Sequence, residues 1–489
     1  MDEFESQLEA LQEQSERVRL RAWLAGDVED AALLELDERF EDVTSGDALD
    51  RLRGELDGAR LEDEREACLR RLGTAESAVL AARLRRLGAE LRARESRQEI
   101  VLGGSPVAVV EVAARMALED DAGRRAELRD ELDRAAGDLD ELREERFARA
   151  GEVRARLGYA DGLARAAALH PQLDFDAWRD AAEVFLAESE PAWLDALTAA
   201  SRRIGVRGAP ALADLPRVLR ADVLDSALPV ARLVGCLDHA FNHFGAGLAA
   251  ACAVEFCRPD ASGDARSFAL RPPDQVVWAA CGAGGVGGAW RAFGAAGSAL
   301  AAAFCAESLP EGRRRAFDPA LPLAWERLFE NVWSAPEWLE ESPLQLRAAE
   351  ASEAFRLRRL LTLRSVCAQV VFERALADLP GGSDPHALAE AWAEVRERAT
   401  HCRHATAGYL RAADPELASV HELRAQCFGA QLGERLRQRH GKRFWHERGA
   451  AELLKEVWNT GGTYRLETLA SELELGPLDV APLLEDALR

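Results

Sequence analysis

The sequence lacks a hydrophobic run long enough to cross a membrane. Its longest apolar stretches, residues 244–257 and 294–306, are shorter than the roughly 20 residues that a membrane-spanning helix needs. The first five residues, Met1–Glu5, contain neither the basic residues nor the apolar stretch of an export signal. We therefore expect a cytoplasmic protein without a membrane partner.

Basic residues are also outnumbered by acidic residues. Lys and Arg number 62 against 85 Asp and Glu, so the 489-residue chain has a net charge of −23. This balance argues against nucleic acid and anionic lipid as main partners, because both attract basic surfaces. The nine cysteines are scattered and odd in number, which fits reduced thiols better than a disulfide framework. Hydrophobic residues, in contrast, make up 48% of the chain, enough to bury one large core or two lobes.

Residues 1–165 are rich in Ala, Leu, Glu and Arg and poor in Pro. Apolar residues recur there at steps of three and four, which predicts long amphipathic helices. The recurrence is clearest in Leu69, Leu72, Val79, Leu80, Leu84, Leu87 and Leu91. Turn-forming residues at Ser45 and Gly158 predict helix ends. We expect this region to be a first, helical domain that could associate with another subunit or with a second copy.

Prolines and tryptophans enter after residue 165, so we place a second domain at residues 166–489. Convincing strands are confined to 265–270 and 275–279, where β-branched or aromatic residues stand between Gly and Pro clusters. The sequence after Gly288 again predicts helices. The fold class is therefore mainly α with a small β element.

Three local patterns suggest ligand binding, and each has a plainer explanation. His239 and His243 would share one helix face and could hold a divalent metal, but Ala240 stands where a hydrolytic zinc helix has its Glu. Residues 282–288 contain GxGxxG, yet no second strand follows to complete a dinucleotide-binding unit. Residues 401–404 contain two His and one Cys, fewer donors than a closed zinc site needs. Ordinary helical histidines, a glycine-rich turn and a chance cluster explain these patterns.

The order of landmarks after residue 265 carries more information. The strand at 275–279 leads through a glycine-rich turn into residues 289–300, and Leu323–Glu330 and Val457–Gly462 follow. This order resembles the thimet oligopeptidase and oligoendopeptidase F class of zinc metallopeptidases. In that class an edge strand precedes a helix bearing His-Glu-x-x-His, and a later helix supplies a zinc-binding Glu. The resemblance implies a two-lobed helical metallopeptidase-like scaffold with the small β element beside a central cleft.

The resemblance also implies that the metal-binding positions have lost their ligands. Gly294, Ala295 and Ser298 stand at the motif positions, and Leu323, 25 residues after Ser298, stands at the position of the third ligand. Zinc in such sites is held by two imidazoles and a carboxylate, and a further Glu accepts a proton from the bound water. One hydroxyl in place of these four groups cannot sustain that mechanism. The resemblance therefore implies no catalytic residue and no cofactor in this chain.

Neighbouring side chains would line the former cleft in this register. Trp290, Phe304 and Trp325 are bulky enough to fill the space that the lost ligands leave, unless a cavity remains there. The candidate cleft residues are Trp290, Trp325, Glu326, Glu330, His421 and Glu422. The last two lie in the segment where the family's tyrosines are expected.

Three functional hypotheses follow. The preserved frame favours a catalytically inactive relative, a pseudopeptidase, that binds a peptide or a protein partner. The second hypothesis is an active zinc-dependent oligopeptidase whose metal has moved to His239 and His243, or whose site the sequence does not reveal. The third is a helical structural or interaction protein that assembles through residues 1–165 as a homo-oligomer or a complex.

Overall fold

The computed structural model describes residues 3–488 except 26–29, 103–104, 207, 222–223, 225–227, 229, 243–246, 257–264, 281–284, 316–317, 342–347, 379–383 and 415. The chain is 75% helical, and the described residues form two small sheets. The predicted mainly α fold with a small β element is confirmed. No described helix is both long enough and apolar enough to span a bilayer.

The helices and strands alternate along the chain as follows. The first half contains α1 Glu3–Ala25, α2 Asp30–Arg39, α3 Gly46–Gly58, α4 Glu62–Arg97, β1 Glu99–Leu102, β2 Ser105–Ala108, α5 Val109–Leu118, α6 Ala122–Gly137, α7 Asp140–Arg156, α8 Gly162–Leu169, α9 Phe175–Glu188, α10 Glu190–Arg203, α11 Leu215–Val218 and α12 Val230–Asn242. The second half contains α13 Leu248–Ala251, β3 Ala253–Phe256, β4 Arg266–Arg271, β5 Gln275–Ala280, α14 Gly285–Ala303, α15 Glu311–Arg314, α16 Ala320–Ser334, α17 Pro336–Glu341, α18 Ala348–Asp378, α19 Pro385–Thr400, α20 Ala418–His440, α21 Arg448–Asn459, α22 Leu466–Glu472 and α23 Val480–Leu488. Short 3-10 helices cover Glu41–Thr44, Leu212–Asp214 and Phe444–His446.

Local sequence explains several helix ends. The Ser45 hydroxyl accepts a hydrogen bond from Ala48 N at 3.2 Å and so caps the start of α3. Asp174 caps α9 in the same way, accepting from the amides of Asp176 and Ala177 at 3.0 Å. Gly158 follows the end of α7 with a φ of +89°, a conformation that favours glycine. The ends predicted at Ser45 and Gly158 are confirmed.

Two compact units divide the described chain. Unit 1 comprises Met1–Ala82, Asp222–Ser352 and Arg424–Leu478, and unit 2 comprises Arg83–Ala221, Glu353–Leu423 and Asp479–Arg489. Residue 165, where the sequence suggested a domain boundary, lies inside unit 2. The division into 1–165 and 166–489 stays a prediction.

The three-stranded sheet belongs to unit 1. Its order is β3-β5-β4, with β3 parallel and β4 antiparallel to the central β5. Five of the six residues of β5 are buried, because the strand has a neighbour on each side and helix α14 packs on it. The strands predicted at 265–270 and 275–279 are confirmed as β4 and β5, whereas the sequence did not reveal β3.

A buried arginine organises the helices of unit 2. The Arg364 guanidinium donates to the carbonyls of Ala399 at 2.7 Å, Leu186 at 2.6 Å and Arg398 at 2.7 Å, and to the Ser189 hydroxyl at 2.6 Å. These carbonyls stand near the ends of α9 and α19, where unpaired backbone acceptors concentrate and favour a cation. Arg364 thus joins two helix C-termini in the core.

Candidate functional site

The candidate site is in unit 1, where α14 packs on β5. The buried Trp278 indole of β5 donates to the Ala292 carbonyl of α14 at 3.1 Å. Gly285 opens α14 with a φ of +76°, and its amide donates to the Leu228 carbonyl at 2.9 Å. The predicted strand and the helix that follows it are therefore present, as β5 and α14. Residues 282–284 of the GxGxxG pattern lie outside the described residues.

Helices α14 and α16 approach each other closely at two glycines. A Cβ atom on Gly297 would lie 2.3 Å from Phe329 Cδ2 and 2.6 Å from the Trp325 carbonyl oxygen. A Cβ atom on Gly294 would lie 3.0 Å from both Cγ and Oε1 of Glu330. The Phe329 ring and the Glu330 carboxylate therefore occupy the space that larger side chains on α14 would need.

The carboxylate beside Gly294 belongs to a charge cluster. Glu330 Oε2 lies 2.5 Å from Arg327 Nη1, and both side chains are only 5% exposed. Arg291 Nη1, on the more exposed side of the cluster, lies 3.9 Å from Glu330 Oε1. Arg327 also faces Glu326 at 3.5 Å. Because the Arg327 and Glu330 side chains form a buried ion pair, removal of either partner would leave an uncompensated charge.

The remaining motif positions supply few donor atoms. Ala295 is buried, and Ser298 and Leu323 are half-buried on α14 and α16. Zinc in proteins is bound by thiolates, imidazoles and carboxylates, and the four positions bring one hydroxyl. Within the described residues no three His, Cys, Asp or Glu side chains are grouped to hold a metal ion. In the predicted register, Gly294, Ala295, Ser298 and Leu323 offer no ligand set for a zinc ion.

Aromatic side chains surround the same helices. The Trp325 ring packs edge-on against Phe428, at a centroid distance of 5.6 Å, and against Trp458, at 6.2 Å. Phe304 stacks on Trp458 at 5.9 Å. Trp290 is buried. The sequence suggested aromatic filling or a cavity, and it did not reveal that a carboxylate occupies the space beside Gly294.

His421 and Glu422, the other candidate cleft residues, belong to unit 2. The His421 imidazole is buried and lies 4.8 Å, centroid to centroid, from the His170 imidazole at the end of α8. Glu422 is half-buried. Sequence reasoning did not single out His170, because nothing in the chain order places it near residue 421. The assignment of all six side chains to a cleft stays a prediction.

The other histidine patterns form no group of metal ligands within the described residues. His239 is exposed on α12 with its ring 6.2 Å from that of Trp338, and His243 lies outside the described residues. His401 faces Glu190 at 3.1 Å, and Cys402 Sγ donates to the Pro210 carbonyl at 3.4 Å. His404 Nε2 instead lies 3.0 Å from the Thr400 hydroxyl oxygen. The donors of residues 401–404 therefore point to different partners.

Comparison with known proteins identifies the fold. No family model and no curated protein matches the chain. Among solved structures, one assigned as oligoendopeptidase F of Bacillus anthracis strain Ames superposes with a TM-score of 0.69 at 13% identity, covering 96% of this chain and 86% of its own. PZ peptidase A with an inhibitor gives a TM-score of 0.72 at 13% identity, covering 98% and 89%. Another oligoendopeptidase F structure gives 0.71 at 15% identity, covering 96% and 86%. The chain has an oligoendopeptidase-like metallopeptidase fold, as the order of landmarks predicted.

Proposed function

We propose that this chain is a catalytically inactive relative of the oligopeptidase-type zinc metallopeptidases that binds a peptide or a protein partner. The observation that carries the proposal is the contact between Gly294 and Glu330. In the register of the resemblance Gly294 stands at the first ligand position, and the space into which a side chain would extend holds the carboxylate of Glu330.

The charges around Gly294 support the same conclusion. A zinc ion needs electron-pair donors, and Glu330 brings a carboxylate that already pairs with Arg327 at 2.5 Å. With Arg291 also within 3.9 Å, a dication at this place would face two guanidinium groups. Two like unit charges 4 Å apart repel by about 4 kcal/mol at an effective dielectric constant of 20.

The close packing of α14 on α16 further supports a structural role for the contact between these two helices. Gly297 is so close to Phe329 and to the Trp325 carbonyl that no side chain fits there without movement. The side chains at Ala295 and Leu323 are hydrocarbon, so a water molecule held there would have no general base among them. The fold would then serve to bind a peptide or a protein partner, because these positions carry no side chain that could catalyse peptide-bond cleavage.

Zinc content and peptide cleavage test the absence of catalysis. The purified chain is dialysed against zinc, its bound metal is measured by mass spectrometry, and a mixed peptide library is incubated with it. We expect no stoichiometric zinc and no turnover. Replacement of the exposed His239 by Ala tests whether a metal site has moved to this histidine. The proposal predicts that the metal content stays unchanged. Loss of bound zinc would favour the active-enzyme hypothesis.

Peptide binding is tested separately. A peptide array probed with the labelled full-length chain should show sequence-dependent retention without cleavage of the retained peptides. Gel filtration with light scattering should be run on the same sample. A stable homo-oligomer with no peptide retention would favour assembly through residues 1–165 and contradict the binding role.

A further inference from the structure

Helix α5, in unit 2, is apolar on the side that faces solvent as well as on the side that it buries. Val112 and Met116 are buried, and they belong to a core cluster with Ile100 of β1 and Val107 of β2. The opposite side of the helix is apolar too. Its residues are Val110, Ala113, Ala114, Ala117 and Leu118. An amphipathic surface helix normally carries polar residues on the side that it does not bury, so this second apolar side needs an explanation.

The solvent-facing residues form one continuous stripe along α5. Their spacing of i, i+3, i+4, i+7 and i+8 places them on one side of the helix. Val110 is 63% exposed at one end of the stripe, and Leu118 is 60% exposed at the other. Ala113 and Ala114 are exposed between them, and their small side chains would let a second helix approach closely. Exposed apolar surface of this kind is typical of an interaction site.

The two charged residues of α5 stand on the same flank of this stripe. Glu111 and Arg115 are one turn apart, and Arg115 Nη2 lies 3.2 Å from Glu111 Oε2 at the surface. The other flank adjoins the buried side of the helix and carries no charged residue. A helix that packs on the stripe therefore meets an acid and a base along one edge, and nothing charged along the other.

A second copy of α5 matches this surface when it lies antiparallel about a two-fold axis near Ala114. In an antiparallel helix pair the same flank of each helix faces its counterpart. The reversed direction then brings Glu111 of each copy within reach of Arg115 of the other. The same axis sets Val110 of each copy against Leu118 of the other. The stripe is thus complementary to itself in both charge and apolar contact.

We propose that the solvent-facing stripe of α5, within residues 110–118, is the interface of a symmetric dimer of this chain. One helix pair buries less than the roughly 1,600 Å² of a standard interface, so the dimer is weak and its population depends on concentration. The proposal gives a specific surface to the self-association that the sequence predicts for residues 1–165. It is independent of the proposed pseudopeptidase function.

Sedimentation velocity of the full-length chain from about 5 µM to about 500 µM tests the dimer over the range expected of a weak interface. At physiological ionic strength, which screens the repulsion between two acidic chains, the wild type should change from monomer to dimer. Val110→Glu should raise the dissociation constant about tenfold or more, because the symmetry buries a new carboxylate on both copies. Val184→Glu is the matched control, since Val184 is a 47% exposed valine on α9. It adds the same charge outside α5 and should dimerise as the wild type does.

Charge reversal tests the antiparallel arrangement. Glu111→Arg sets cations against cations across the axis, and Arg115→Glu sets anions against anions, so each variant alone should dimerise about fivefold more weakly than the wild type. An equimolar mixture of the two variants should form a heterodimer at least as tight as the wild-type dimer, because every facing pair is then opposite in sign.

Three results would overturn the proposal. A wild type that stays monomeric throughout the range would leave the stripe to a different partner. An unchanged dissociation constant in Val110→Glu would place the dimer interface elsewhere on the chain. A mixture of Glu111→Arg and Arg115→Glu that associates no more tightly than either variant alone would contradict the antiparallel pairing.

Discussion

Arg424 donates two parallel hydrogen bonds to Asp318, and both side chains are fully buried. Nη1 reaches Oδ1 at 3.0 Å and Nη2 reaches Oδ2 at 2.7 Å. Asp318 also accepts from the amides of Ala320 and Leu466 at 3.0 Å, and Arg424 Nε donates to Glu467 at 2.7 Å. Each polar atom of the pair thus has a partner, the condition under which a buried ion pair stabilises a fold. The network joins α16, which carries half of the candidate site, to α20 and α22.

Replacement of Asp318 by Asn should destabilise unit 1 strongly. The substitution removes one of the carboxylates that offset the buried charge of Arg424 and leaves Glu467 to offset it, so we expect a loss of about 3 kcal/mol. Urea unfolding followed by tryptophan fluorescence measures it. Asp274→Asn is the control, since Asp274 pairs with Arg271 at 3.9 Å at the surface and should change stability by less than about 1 kcal/mol. Equal effects of the two substitutions would contradict the role of the buried network.

Replacement of Gly297 by Ala should also destabilise the chain. The new methyl group would lie 2.3 Å from Phe329 Cδ2 and 2.6 Å from a backbone oxygen, so α14 and α16 must move apart. Overpacking of this kind costs about 1–3 kcal/mol. Gly288→Ala is the control on the same helix, because a Cβ atom there meets nothing within 4 Å. It should be neutral or stabilising by up to about 1 kcal/mol. In thermal melts the midpoint of Gly297→Ala should fall, and that of Gly288→Ala should stay the same or rise. A stabilised Gly297→Ala would show that the helices are not in close contact.

The stability of unit 1 should fall between about pH 4.5 and pH 7. Burial, and then the adjacent Glu311 carboxyl, raise the pKa of Glu9 from 4.5 to about 7. The folded state therefore holds a proton that the unfolded chain releases near pH 4.5. The stabilisation is complete below that pH, is lost as the pH rises to 7, and changes no further above it. The Glu5 carboxylate also raises the pKa of Glu9, and the Arg315 guanidinium lowers it.

Glu9→Gln should remove this dependence. Relative to the variant, the wild type should lose about 1–2 kcal/mol between pH 5 and pH 8, an amount that allows for solvent screening of the shift. Chemical unfolding at a series of pH values measures the difference. Glu35→Gln, an exposed carboxylate on α2, is the control and should follow the wild type. Parallel curves for the wild type and Glu9→Gln would contradict a raised pKa of Glu9.

Local patterns in the sequence predicted much of the helical framework. Leu69, Leu72, Val79 and Leu80 lie on the buried face of α4, because a spacing of three and four places them on one side of a helix. Strands β4 and β5 were predicted from β-branched and aromatic residues between breaks. Strand β3 was missed because its four residues are largely exposed and show no alternation. The antiparallel pair of β1 and β2 was missed as well, because its two four-residue strands lie in a region whose composition predicts helices.

The candidate site was less predictable than the fold. The order of landmarks located α14 and α16, but only the folded chain brings Glu330 against Gly294 and Phe329 against Gly297. Such contacts depend on how two helices cross, which a pattern within each helix does not determine. The same reason hides His170 beside His421. In each pair the residues come from segments that are remote in sequence.

We propose that this chain keeps an oligoendopeptidase-like metallopeptidase fold without a bound zinc ion. The most direct test of this claim is the zinc content of the purified full-length chain after equilibration with zinc, measured together with peptide hydrolysis on the same sample. We expect a molar ratio of zinc to protein far below one and no cleavage above the buffer control. One zinc per chain with peptide turnover would contradict the claim.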